Sequence, residues 1–87
     1  MAGASEIISL NGIITVTEND RRNQPLEIAI ETDDFQTYVI TGKQLGKELF
    51  NHISEKITLS CQVEGKNYYG LPMITILEYA IHQNGSK

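Results

Sequence analysis

A single stretch of this chain changes hydrophobic period. In "ITGKQLGKELFNHI", Leu45, Leu49 and Ile53 recur every four residues and Phe50 widens the stripe, the spacing of one helical face. Thr41 followed by Gln44 three residues later reads as a capping box, and Ile40 with Leu45 as a hydrophobic staple, so the spacing predicts a helix entered at Thr41. The other apolar stretches have the period of strands. A fold built on this chain must therefore be a sheet with one helix.

The strands can be followed in order. "IISLNGIITVT" (7–17) is rich in Ile, Val and Thr and is interrupted by Gly12, the mark of a bulge or sharp bend. "ENDRRNQP" is polar and reads as a fairly long loop. "LEIAIET" alternates, with Leu26, Ile28 and Ile30 on one face and Glu27, Ala29 and Glu31 on the other. "DD" supplies a turn, and "FQTYVIT" returns with Phe35, Thr37 and Val39 facing opposite to Gln36, Tyr38 and Ile40, the inward face being left open. After the helix, "EKITLSCQVEG" points Ile57, Leu59, Cys61 and Val63 inward. "MITILEYAIH" is a last strand, apolar on both sides, either central in a closed barrel or open to pairing with another chain.

At 87 residues the chain is one domain, expected to comprise a flexible segment 1–6, a folded body 7–82 and a disordered tail 83–87. No stretch approaches the roughly 18 apolar residues of a membrane span, and "MAGASEIISL" lacks the basic and apolar regions of a secretory signal, so a cytoplasmic protein is expected, with a trimmed secreted domain as the alternative. The single Cys61 excludes an internal disulfide and a multi-cysteine zinc site. The formal net charge is -4, and Glu27, Glu31, Asp33 and Asp34 fall together with no basic residue among them, a field that repels phosphate backbones.

The order strand, strand, strand, helix, strand, strand, with a glycine-bent first strand, resembles the OB-fold, a five-stranded Greek-key barrel, over about Ile7 to His82. SH3-like barrels lack a full helix at that point, and a ferredoxin-like fold needs a second helix. The fold class expected is mainly β, a five-stranded OB-like barrel with one α-helix between strands 3 and 4. The resemblance implies a binding face on the second and third strands, rimmed by the first loop (Glu18 to Pro25) and the loop before the last strand (Glu64 to Leu71). The ligand-binding candidates on it are Arg21, Arg22, Tyr38, Lys66, Asn67, Tyr68 and Tyr69. If the backbone is extended through Tyr68 and Tyr69, they point to opposite sides, so one packs as a core plug and the other is free to stack.

Catalysis is not expected. His52 and His82 share no motif with Cys61, whose strand face is apolar, and the serines lack a nucleophile-elbow signature. "TGKQLGK" lacks the spacing of a phosphate loop, and "ETDDF" lacks the alternating ligands and glycine of a calcium loop. The expectation is a binding or adaptor module without cofactor or metal, holding a protein or oligomeric ligand, with a homodimer as another form of partner. The alternative is a weak single-stranded nucleic-acid binder, disfavoured by the acidic second strand.

Overall fold

The computed structural model describes residues 6–82. The expected tail, and the expected N-terminal segment apart from Glu6, lie outside the described residues. The elements are β1 (Ile7–Asn19), β2 (Pro25–Thr32), β3 (Thr37–Ile40), a 3₁₀ helix (Gln44–His52), β4 (Lys56–Lys66) and β5 (Pro72–Ile81). The sheet closes into a barrel in the order β1-β2-β3-β5-β4. Neighbours are antiparallel except β3 and β5, which run parallel through Val39 opposite Met73 and Ile40 opposite Ile74. The mainly β architecture, with one helix between the third and fourth strands, is the one the sequence predicts.

β1 closes the barrel because it pairs twice. Its first half, Ile7 to Ile13, lies against β4, and its second half, Gly12 to Asn19, lies against β2. Gly12 is at the changeover. A Cβ built there would lie 2.1 Å from the Glu31 carbonyl oxygen and 2.8 Å from Thr32 Cα, so only glycine lets β2 come this close.

Inside, Ile14, Ile28, Ile30, Ile40, Ile57, Leu59, Cys61, Ile74 and Ile76 form the core. Ile57, Leu59 and Cys61 are buried as expected, and Val63 packs against them. β5 reads as apolar on both sides because its register slips between Ser60 and Cys61 of β4, leaving Leu77 as the extra residue. Ile74 and Ile76 face the core before the slip, and Tyr79 and Ile81 pack against it afterwards. This strand is therefore a barrel stave between β3 and β4.

The helix carries the expected stripe: Leu49 is fully buried, and Leu45, Phe50 and Ile53 pack around it. Its winding and entry differ from expectation. It is 3₁₀ and not α, and its N-cap is Lys43, extended and without a side-chain cap. The Thr41 hydroxyl lies 3.3 Å from that of Thr75, and the Thr41 N–H donates to the Ile74 carbonyl at 2.9 Å. The β3–β5 seam thus takes the threonine that the capping box required.

A polar clasp holds the same seam. Thr75, nearly buried, donates its hydroxyl to Glu64, and Lys43 Nζ lies 3.1 Å from the other Glu64 oxygen. The Thr75 bond first, and Lys43 second, hold the Glu64 carboxyl below its ordinary 4.5. A lowered pKa stabilises the fold above the unfolded value, and the contribution is lost as pH falls through the folded value. Glu64→Gln is expected to lower the urea midpoint near neutral pH, with the gap from the wild-type chain closing on acidification as the lowered Glu64 carboxyl takes up its proton.

Candidate functional site

Three hairpins project from the barrel on one turn design. In each, an oxygen-bearing residue anchors a turn of three residues, the last of which has positive φ. Asp20 takes the N–H groups of Arg22 and Gln24 on Oδ1 at 2.8 and 2.9 Å, Asn23 has φ 65°, and the Asp20 N–H donates to the Gln24 carbonyl at 2.8 Å. Asn67 takes the N–H groups of Tyr69 and Leu71 on Oδ1 at 3.0 and 2.9 Å, Gly70 has φ 82°, and the Asn67 N–H donates to the Leu71 carbonyl at 2.8 Å. Thr32 accepts the Gln36 N–H on Oγ1 at 3.0 Å and donates its hydroxyl to Asp34, and Phe35 has φ 66°. This is the three-residue hairpin in which a type I turn precedes a left-handed residue. The side-chain oxygen adds the Asx or Ser/Thr bonds that stiffen it.

The two residues at each tip are identical: Arg21 and Arg22, Asp33 and Asp34, Tyr68 and Tyr69. Both tyrosines are exposed, at 93% and 79%, with their rings edge to face and centroids 5.2 Å apart. This corrects the expectation that one would plug the core. Side chains alternate across an extended strand, but the middle residues of a turn both leave the body. The first loop is likewise a tight hairpin, Asp20 to Gln24, with Glu18 and Asn19 still paired to β2. Phe35 belongs to a turn and not to β3, and it stands 87% exposed. Its signal was present in the repeated pattern of anchor, doubled residue and left-handed position, which Thr32 to Phe35 shares with the other two hairpins.

The other candidates divide by position. Lys66, at the end of β4, is exposed beside the tyrosine hairpin. Asn67 spends its side-chain oxygen on the turn. Tyr38, opposite Ile30, is half-buried and packs against the core, so it lies on the inner face with Ile40. On the outer face, Thr15, Ala29, Val39 and Met73 stand opposite one another in a row across β1, β2, β3 and β5. Ala29 and Val39 are buried but lie outside the core cluster, and Glu31 is exposed beside them. By strand direction, the arginine hairpin lies where β3 ends, and the tyrosine and aspartate hairpins where β3 begins. The face between β2 and β3 is therefore bounded at both ends.

The arginine side chains make no hydrogen bond or ion pair among the described residues, since the Asp20 carboxylate is turned to backbone N–H groups. Glu27 accepts the Thr17 hydroxyl at 2.7 Å. Elsewhere, Cys61 is fully buried and burial pushes its thiol up to about 11. His52 Nδ1 lies 3.1 Å from Glu55 and His82 Nε2 lies 2.5 Å from the Thr58 hydroxyl, so neither histidine is placed with the thiol. Tyr79 donates to Glu48 at 2.7 Å, a bond that raises its phenol pKa. No group of three or more His, Cys, Asp or Glu among the described residues is arranged to hold a metal. No helix among them is long and apolar enough to cross a membrane.

Two shallow clefts lie away from the outer face. One, of about 290 Å³, is lined by Thr58, Ser60, Glu78 and Ala80 on β4 and β5. The other, of about 250 Å³, lies between the β1 residues Ser9 to Asn11 and the turn residues Thr32 to Asp34. None of the seven ligand-binding candidates named from the sequence lines either cleft. Comparison with family models, with curated proteins and with solved structures returned no match.

Proposed function

We propose that the chain is an OB-type barrel acting as a non-catalytic binding module, which holds a protein or oligomeric ligand on the outer face of β2 and β3. The OB reading is supported by the strand order, the parallel β3–β5 pair and the helix between β3 and β4. The observation that carries the function is the tyrosine hairpin. Two aromatic rings of this size held in water on a four-bond turn bury nothing for the fold, whereas rigid exposed aromatics supply contact area at low entropic cost to a complex. A module without catalysis fits a thiol sealed in the core and histidines committed to other partners.

A second reading, single-stranded nucleic-acid binding, is favoured by the unpaired Arg21 and Arg22 and by the same stacking surface. Glu31, Asp33, Asp34 and the net charge of -4 oppose it. Titrating labelled single-stranded DNA and RNA at low salt decides between them: no binding is expected, and tight salt-sensitive binding would overturn the first reading. For the favoured reading, a partner retained by the wild-type chain should be released from the Tyr68→Ala, Tyr69→Ala double variant with at least about a tenfold loss of affinity. Undiminished retention by a folded double variant would remove the tyrosines from the site.

A further inference from the structure

β1 pairs with β4 from Ile7 onward, but with β2 only from Gly12. Its backbone parity shows where the remaining groups point. The Asn11 carbonyl accepts the Asp33 N–H at 3.1 Å, on the β2 side, while Ile14 exchanges bonds with Ser54 and Glu55 on the other side. Odd-numbered residues of β1 therefore turn their N–H and C=O groups towards β2, as strand geometry requires. At Ile7 and Ser9 there is no β2 residue to meet them. Their N–H and C=O groups, and the Asn11 N–H, have no backbone partner among the described residues. The barrel thus retains a short open edge, with Ile7 64% exposed at its start.

The 250 Å³ cleft runs along this edge, with Ser9, Leu10 and Asn11 on one wall and Thr32, Asp33 and Asp34 on the other. No basic side chain lines it, and the Asp33 carboxylate has no side-chain partner among the described residues. Along β1 the residues flanking the edge alternate between polar Ser9 and Asn11 on the outside and apolar Ile8 and Leu10 packed on the core.

We propose that this edge is a strand-addition site for an extended cationic peptide segment, one that alternates apolar residues with Lys or Arg. Such a strand would take its backbone bonds from Ile7, Ser9 and Asn11, turn its apolar residues towards Ile8 and Leu10, and bring cations to Asp33 and Asp34. A second copy of this chain is a poorer occupant, because its own edge, Ile7 to Asn11, carries no cation to offer Asp33 and Asp34. The site is separate from the β2–β3 outer face, so failure at one leaves the other standing.

The test is an amide-resolved NMR titration of the labelled full chain with a blocked peptide of alternating Lys and Val. Shifts and slowed amide exchange are expected at Ile7, Ser9 and Asn11. The same peptide methylated on alternate backbone nitrogens should bind at least about tenfold more weakly to the wild-type chain, which needs no folding control. Ser9→Pro removes an N–H that the β4 ladder does not use and should give a similar loss, while Asp33→Asn should weaken binding a few-fold, chiefly at low salt. The proposal is overturned if shifts fall instead at Ala29, Val39 and the tyrosine hairpin, or if no residue shifts. It is also overturned if Ile7 and Ser9 become protected by self-association without peptide.

Discussion

Gly12→Ala is expected to cost more than about 3 kcal/mol of stability, read as the change in urea unfolding free energy. The added methyl would run into the β2 backbone: the Glu31 carbonyl oxygen at 2.1 Å, the Glu31 carbonyl carbon at 2.8 Å and Thr32 Cα at 2.8 Å. A flexible side chain could rotate away from such a contact, but these atoms belong to the β1–β2 ladder. Relief requires parting β1 from β2 at the point where β1 changes partner. For a domain of this size the loss corresponds to a fall in melting temperature of at least about 12 °C. Gly42→Ala, which meets nothing within 4 Å, should change stability by less than about 1 kcal/mol. Equal effects at the two glycines would refute the close-approach account.

Leu49→Ala is expected to cost about 2–5 kcal/mol by the same measurement. Leu49 is the one fully buried side chain among the described residues of the 3₁₀ helix, and it joins the β-strand core formed by Ile14, Ile28, Ile57 and Ile74. Truncation leaves a cavity between helix and barrel that the strands, tied around a closed ring, cannot collapse to fill. Lys47→Ala, on an exposed position of the same helix, should stay within about 0.5 kcal/mol. A small effect at Leu49 would mean that the helix is an ornament on the barrel and not its plug.

The two variants probe features that differ in how far they could be read from the chain. Gly12 was legible as a special position, because a glycine amid Ile, Val and Thr weakens a strand; the expected bulge or bend proves to be a close approach of β2, and the register shifts of the β1–β2 pair lie further on, beyond Val16. Leu49 was legible through its four-residue period with Leu45 and Ile53. The winding of that helix was not legible, since the capping residues at Thr41 and Gln44 have a local signature but the seam to β5 offers Thr41 a competing partner. β5 was ambiguous for a related reason. Its side chains change phase at Leu77, and a one-residue slip in register cannot be seen without the partner strand.

At the candidate site, the tyrosine hairpin, Lys66 and the arginine hairpin follow from the resemblance to the OB-fold, which implies a site rimmed by those two loops. Tyr38 was placed with them because its strand could face either way, and pairing with Ile30 turned it inward. Tyr68 and Tyr69 fall, as expected, in the loop before the last strand; only the condition of an extended backbone put one of them in the core, and Asn67 and Gly70 on either side carry the chemistry of a turn instead.

By itself the amino-acid sequence determined the number and order of the elements, the inward residues of β4, the need for a glycine at position 12 and the buried stripe of the helix. These follow from periods of two and about four residues and from the special freedom of glycine, all of which act over a few positions of chain. Only the tertiary structure decided that the staves close into a ring, that Thr41 serves the seam, that Tyr38 faces the core, and that β1 runs past the end of β2 so that Ile7 and Ser9, paired with β4, have no β2 residue opposite them. Each of these depends on where a distant strand begins and ends. A hydrogen-bonding group has no way of recording in its own neighbourhood whether a partner will be there.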